Sequence, residues 1–156
     1  MTDWSYGVCD RETLTSTDGL TFLTGIVEGR LPQPPICQTV GFVLVAASYG
    51  AVTFEGATGD HLGNPIGSIH GGFAATLLDS ATACAVHATL ATGETYTTLE
   101  LKVNMVRALL PKTGLVRAEG EVIHRGRRIA TSDGKLVDED GRLYAHATST
   151  CLIMAP

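Results

Sequence analysis

Two hydrophobic periodicities alternate along the chain. In DGLTFLTGIVEGRL (18–31), Leu20, Leu23, Ile26 and Val27 fall at helical spacing behind Asp18, whose side chain suits an N-cap, and Gly29 lies near the expected stop. PQPP (32–35) then breaks the chain. TVGFVLVAAS (39–48) and AVTFEGA (51–57) read as strands joined in a hairpin at Tyr49-Gly50. From Phe73 to Gly93 the residues are almost all small, apolar or hydroxyl-bearing, with no internal Gly or Pro, which predicts a long helix. Apolar positions occur all round it, so it should be enclosed on most sides. YTTLELKVNMVR (96–107) alternates, with Leu99, Leu101, Val103 and Met105 on one face and Thr98, Glu100, Lys102 and Asn104 on the other. Strands at 114–124, 127–138 and 142–153 follow, separated by turns at Arg125-Gly126 and DEDG (138–141).

Such short connections make neighbouring strands antiparallel. The order of two strands, one long helix and a meander predicts an α+β fold in which an antiparallel sheet wraps around one central helix. Residues 1–35 are read as an N-terminal extension carrying the short helix, and residues 36–156 as the main domain.

Composition narrows the function classes. A chain of 156 residues with 44% hydrophobic and 17% charged residues suits one soluble domain. Its formal charge of −5 argues against nucleic acid as a partner, since that binding draws on basic charge. No apolar run approaches the roughly 20 residues of a membrane span, and no secretory leader is expected at MTDWSYGVCDRETL. Cys9, Cys37, Cys84 and Cys151 are scattered and the five histidines form no ligand cluster, so a cytoplasmic protein with reduced thiols and no structural metal is expected.

The long helix carries one formal charge, Asp79. Aspartate is a poor mid-helix residue, and burying its carboxylate without partners costs several kcal/mol. No Lys or Arg stands within a helical turn of it. Either this face meets water, or the acid is kept for reactivity. At the helix start, His70-Gly71-Gly72 offers unpaired N–H groups, partial positive charge and room for close approach, which makes an oxyanion cradle; a tight loop-to-helix turn is the plainer reading. Gly71 and Asp79 are eight residues apart, about 12 Å along a helix, too far to flank one carbonyl. Two copies of the helix, antiparallel across a two-fold axis, would bring Gly71 of one chain to Asp79 of the other. If both groups are catalytic, the protein is an obligate dimer.

NPIGSIHGGFAATLLD (64–79), with the later LELKVNMVRAL and HRGRRIATSDGKLVDEDGRLYAHATSTCLI stretches, resembles the hotdog-fold acyl-CoA thioesterases of the phenylacetate-pathway, PaaI-type group, over roughly residues 36–155. The resemblance implies hydrolysis of an acyl-CoA thioester without a cofactor, by homodimers that often pair further. It implies Asp79 as general base or nucleophile and the Gly71 N–H as polariser of the thioester carbonyl. Asn64 would place the water or the thioester, and His70 would hold the loop or bond near the carbonyl. Thr98, or its neighbour Thr97, would supply a hydroxyl near the acid, and Gly72 would adjoin the substrate. The acyl group would lie along the helix-helix interface. HRGRR (124–128) is the one dense basic patch; Arg127 and Arg128 suit the phosphates of coenzyme A, or simply flank a solvated hairpin. Two rivals stand beside hydrolysis. GDHLGNPIGSIH (59–70) echoes the loop of hotdog enoyl-CoA hydratases with different spacing, and a non-catalytic acyl-CoA-binding module could use the same fold.

Overall fold

The structure, a computed structural model, describes residues 4–155. Helices α1 (Arg11–Ser16), α2 (Gly19–Val27) and α3 (Pro35–Val40) precede strands β1 (Phe42–Ser48) and β2 (Ala51–Ala57). Helix α4 (Gly71–His87) follows, then β3 (Thr95–Met105), β4 (Leu115–Arg125), β5 (Ile129–Asp138) and β6 (Leu143–Met154). The six strands form one antiparallel sheet in the order β1-β2-β4-β5-β6-β3, with α4 packed across it: the α+β arrangement expected of a hotdog fold.

Local chemistry sets most boundaries. Asp18 caps α2, accepting from the Thr21 N–H at 2.9 Å, and Gly29 ends it at φ 73°. Pro35 opens α3 and Gly41, at φ 83°, closes it, so the strand expected from residue 39 begins only at Phe42. The leader also carries α1, capped by Asp10, which the hydrophobic pattern does not announce.

Two departures from the expected sheet matter. β3 does not open the meander; it crosses to the far edge and pairs with β6, while β4 pairs with β2 and β5. It also carries a bulge between Thr98 and Glu100. An extra residue there, Leu99, reverses the alternation, so Thr98 turns inward with Leu101 and Val103 rather than outward with Glu100 and Lys102.

The core lies between α4 and the sheet, where Leu77, Leu78, Ala81, Ala85 and Val86 are fully buried. Each fully buried leucine is worth roughly 1.5–3 kcal/mol. Two cross-strand partners, Gly120 and Gly134, sit under the helix; an added Cβ at Gly120 would meet the Ala81 carbonyl oxygen at 2.2 Å. Ser132 Oγ donates to the Thr82 carbonyl at 2.9 Å, pinning the same turn.

The N-terminal segment is fastened at several points, among them the Gly19 N–H on the Leu90 carbonyl at 2.9 Å. The buried Gln33 side chain bonds both the N–H and the C=O of Leu44, each at 3.0 Å, acting as a strand partner for the edge of β1. Phe22 of α2 stacks on His87 at the end of α4, ring centroids 5.2 Å apart, and Tyr96 closes its other side at 5.1 Å. Burial there pushes His87 down to about 4.

Candidate functional site

The loop before α4 is organised by Asn64. Its Oδ1 accepts from the N–H groups of Ile66 (3.1 Å) and Ser68 (3.2 Å), and its Nδ2 donates to Ser68 Oγ (2.8 Å). Asn64 is thus bonded as a turn residue, with one Nδ2 hydrogen still to spare. The loop is anchored by the Ile69 N–H on the Leu109 carbonyl and the His70 N–H on the Leu62 carbonyl.

His70 is the N-cap of α4: its Nδ1 accepts from the Gly72 N–H at 2.8 Å. That nitrogen is unprotonated, and the Gly72 donor is spoken for. The Gly71 N–H meets no acceptor among the described residues. It is the free donor at the positive end of a 17-residue helix. A cavity of about 330 Å³ opens beside it, lined by Asn64, Ser68, His70, Met105, Arg107 and Tyr144 among others. The Met105 thioether lies over Gly71, where an added Cβ would meet its sulfur at 2.7 Å. On the other side of His70 a cavity of about 260 Å³ is lined by Val40, His61, Leu62, Gly72, Phe73 and Thr76.

Two turns along α4, Asp79 stands half-buried on the stripe of the helix that its own sheet leaves open, with Gly72, Ala75, Thr76 and Ser80. The Thr98 hydroxyl donates to Asp79 Oδ1 at 3.2 Å, through the inward turn that the bulge creates. Thr97 next door is exposed. The neighbours of Asp79 are neutral. Desolvation pushes the Cys84 thiol up to about 12 and the Tyr96 hydroxyl well above its ordinary value. Cys151 is also raised by burial, and the Asp79 charge pushes all three in the same direction. No ion pair forms at Asp79 among the described residues.

Within one chain the structure thus gathers Asn64, His70, Gly71 and Gly72 at the start of α4 and Asp79 with Thr98 at its middle. β3 spans the two, with Thr98 beside Asp79 and Met105 beside Gly71. Arg127 and Arg128 are exposed in the β4–β5 turn and line neither cavity, while Arg125 between them and His124 is tied to Glu94 at 2.5 Å. Sequence reading missed Arg107, whose guanidinium lies over the Tyr144 ring at 5.9 Å and pairs with no carboxylate among the described residues. It also missed Lys112, which lines an adjoining hollow of mixed charge with Arg107, Arg142, Asp138, Glu139 and Asp140. Both follow the exit of β3, where periodicity gives no hint of a cavity.

Comparisons with known proteins bear on this arrangement. A family model, the thioesterase superfamily, matches residues 66–145. A solved phenylacetic acid degradation-related protein from Ralstonia eutropha JMP134 is 32% identical, covering 83% of this chain and 98% of that one, with a TM-score of 0.74. A variant of the phenylacetic acid degradation protein PaaI from Thermus thermophilus is 28% identical over 76% of this chain and 97% of that one, with a TM-score of 0.68. A 1,4-dihydroxy-2-naphthoyl-CoA hydrolase from Listeria monocytogenes serotype 1/2a (strain 10403S) is 24% identical over 116 residues, which is 74% of this chain and 93% of that protein.

Proposed function

The chain belongs to the thioesterase superfamily of thioester hydrolases, and from that premise we propose that it hydrolyses an acyl-CoA thioester at two equivalent sites across a homodimer seam. The observation that carries this reading is the division of labour along α4. A free N–H stands at the start of the helix and a threonine-held carboxylate at its middle, eight residues away. Two features support an antiparallel dimer as the way to join them. The outer edge of β3 is unpaired among the described residues and carries the exposed Leu99 and Met105. The open stripe of α4 lies on the same side, since Asp79 and Gly71 both meet β3 side chains.

In this reading the Gly71 N–H of one protomer receives the thioester carbonyl oxygen, with Met105 swung aside. Asp79 of the other protomer takes a proton from water as the water oxygen bonds to the carbonyl carbon. Thr98 holds Oδ1 and leaves Oδ2 for that proton. The negative charge that develops on the carbonyl oxygen rests on the Gly71 donor and the helix dipole, in a seam that excludes bulk water. Collapse of the tetrahedral intermediate breaks the C–S bond, and the proton held by Asp79 passes to the departing CoA thiolate. Asn64 holds the loop and offers its spare Nδ2 hydrogen, and His70 fixes the first turn with Gly72. No step calls for a cofactor. Arg127 and Arg128 remain our proposed contacts for the CoA phosphates at the outer edge. The names of the relatives point to an aromatic acyl group, and we extend that preference to this chain as part of the proposal.

Free-thiol release from acetyl-, benzoyl-, octanoyl- and palmitoyl-CoA, measured side by side with Asp79→Asn, tests it. Turnover of at least one ester that Asp79→Asn abolishes, with dimerisation intact, is the expected result. Unimpaired hydrolysis by Asp79→Asn would remove the carboxylate from the chemistry.

A further inference from the structure

His70 stands as a partition between two cavities, and their walls differ in kind. On the Gly71 side, Asn64, Ser68, Arg107 and Tyr144 supply polar atoms, and the cavity adjoins a hollow of mixed charge, where Lys112 and Arg142 stand with Asp138, Glu139 and Asp140 and Arg142 is paired with Asp138 and Asp140. On the Gly72 side, Val40, Leu62 and Phe73 make a mainly apolar wall that Thr76 and the His61 imidazole complete, with no carboxylate, guanidinium or ammonium group in it. The Gly72 N–H is consumed by His70, so the free backbone donor opens on the polar side alone. A thioester whose carbonyl oxygen sits on that donor directs its two substituents apart, one to each side of the partition. Coenzyme A, the more polar of the two substituents, matches the polar side, where Arg107 has no carboxylate partner among the described residues.

We infer that the acyl group lodges in the cavity between α3, residues 61–63 and the first turns of α4, that Val40 sets its depth, and that the preferred substrates therefore carry a compact acyl group. This rests on the hydrolase reading above. Two observations fix the location. Thr76 belongs to the open stripe of α4 that also holds Asp79, so the cavity opens toward the seam where the partner's carboxylate would arrive. Val40 is the last residue of α3, between Pro35 at the start of that helix and the left-handed Gly41 that ends it, so the helix end places its side chain in the cavity wall. The volume, about 260 Å³, falls below the roughly 300–1,000 Å³ of pockets that enclose drug-sized ligands. A single ring or a short chain fits within it, and a palmitoyl chain would have to run out through its open mouth. Helix α3, which contributes no catalytic group, thereby acts on specificity.

The test compares Val40→Trp and Val40→Ala with the unaltered protein in two ways. The first is kcat/KM for acetyl-, benzoyl- and palmitoyl-CoA. The second is calorimetric binding of phenacyl-CoA, a ketone thioether that cannot be hydrolysed, against free CoA. Val40→Trp should lower the benzoyl-to-acetyl ratio at least about tenfold and weaken phenacyl-CoA about tenfold relative to CoA, as expected when a pocket loses the room for a ring. Val40→Ala should move the preference toward larger acyl groups. Both ratios within twofold of the unaltered protein in both variants would overturn the assignment. Equal turnover of palmitoyl- and benzoyl-CoA by the unaltered protein would overturn the compact-acyl conclusion. If no ester is turned over, the hydrolase reading falls, and the phenacyl-CoA ratio still decides where the acyl group sits.

Discussion

Replacing Gly120 by alanine probes how closely α4 must lie on the sheet for the site to work. An added Cβ would stand 2.2 Å from the Ala81 carbonyl oxygen and 2.4 Å from its carbon, against the 3.3–3.6 Å at which carbon and oxygen ordinarily touch. The obstacle is helix backbone, which no rotamer change relieves, so α4 must rise by about 1 Å or tilt. Gly134, the cross-strand partner, offers no slack, because its own Cβ position lies 2.9 Å from the Thr82 methyl. Overpacking of this kind costs roughly 1–3 kcal/mol, and rigid backbone places this site at the upper end. For a chain of this size that is a Tm lower by roughly 5–10 °C. Asp79 lies two residues from Ala81, and a misplacement of about 1 Å at a reacting group can reduce rate by ~10²-fold. Thermal melting followed by circular dichroism and thiol release from benzoyl-CoA read both effects. Gly7→Ala, where an added Cβ meets Pro32 at an ordinary 3.7 Å, serves as the control and should change neither. A Gly120→Ala protein with unaltered Tm and unaltered kcat/KM would refute the claim that helix-sheet contact positions the acid.

Thr98→Val should lower kcat by roughly 10–100-fold, the worth of a hydrogen bond to a charged group, while Thr98→Ser retains most activity; equal rates for the two would detach the hydroxyl from catalysis. His87, held at about 4 while an unfolded histidine titrates near 6.5, makes the unfolded chain the better proton binder between those values. Stability should therefore fall as pH drops from 6.5 to 4, by up to roughly 3 kcal/mol, and level off below; urea melts of His87→Phe should lack that slope. Gln33→Leu strands the Leu44 N–H and C=O at the edge of β1 and should cost roughly 2–4 kcal/mol in denaturant unfolding, whereas a change under ~0.5 kcal/mol would show that water replaces the side chain.

Most of this fold is written in local chemistry. Asp18, Gly29, the Tyr49-Gly50 hairpin and the long apolar run mark their elements because caps, turns and a buried helix each leave a residue-level signature. The place of β3 was not legible, since strand order depends on which edge a crossing chain reaches. Its bulge was hidden for a related reason: Leu99 continues the apolar alternation in the sequence but is the extra residue in space, 56% exposed. Thr98 consequently faces Asp79, as the resemblance implies, while the simple alternation turns it away. At the site, His70, Gly71 and Asp79 stand out by motif and by oddity of composition. Met105, Arg107 and Val40 do not, because cavity walls are assembled from the ends of elements that lie far apart in the chain.

The central claim, one site built from two protomers, is tested most directly by mixing two disabled proteins. Asp79→Asn removes the carboxylate. Gly71→Pro removes the free N–H at the first helical position, where proline is best tolerated, and its ring displaces only the flexible end of the Met105 side chain. Each alone should be inactive toward benzoyl-CoA. Unfolded and refolded together, random pairing makes about half the dimers mixed, and each mixed dimer holds one intact site, so about a quarter of the activity should return. If both groups served within one chain, every chain in the mixture would carry a lesion, and activity would stay at the level of the separate variants.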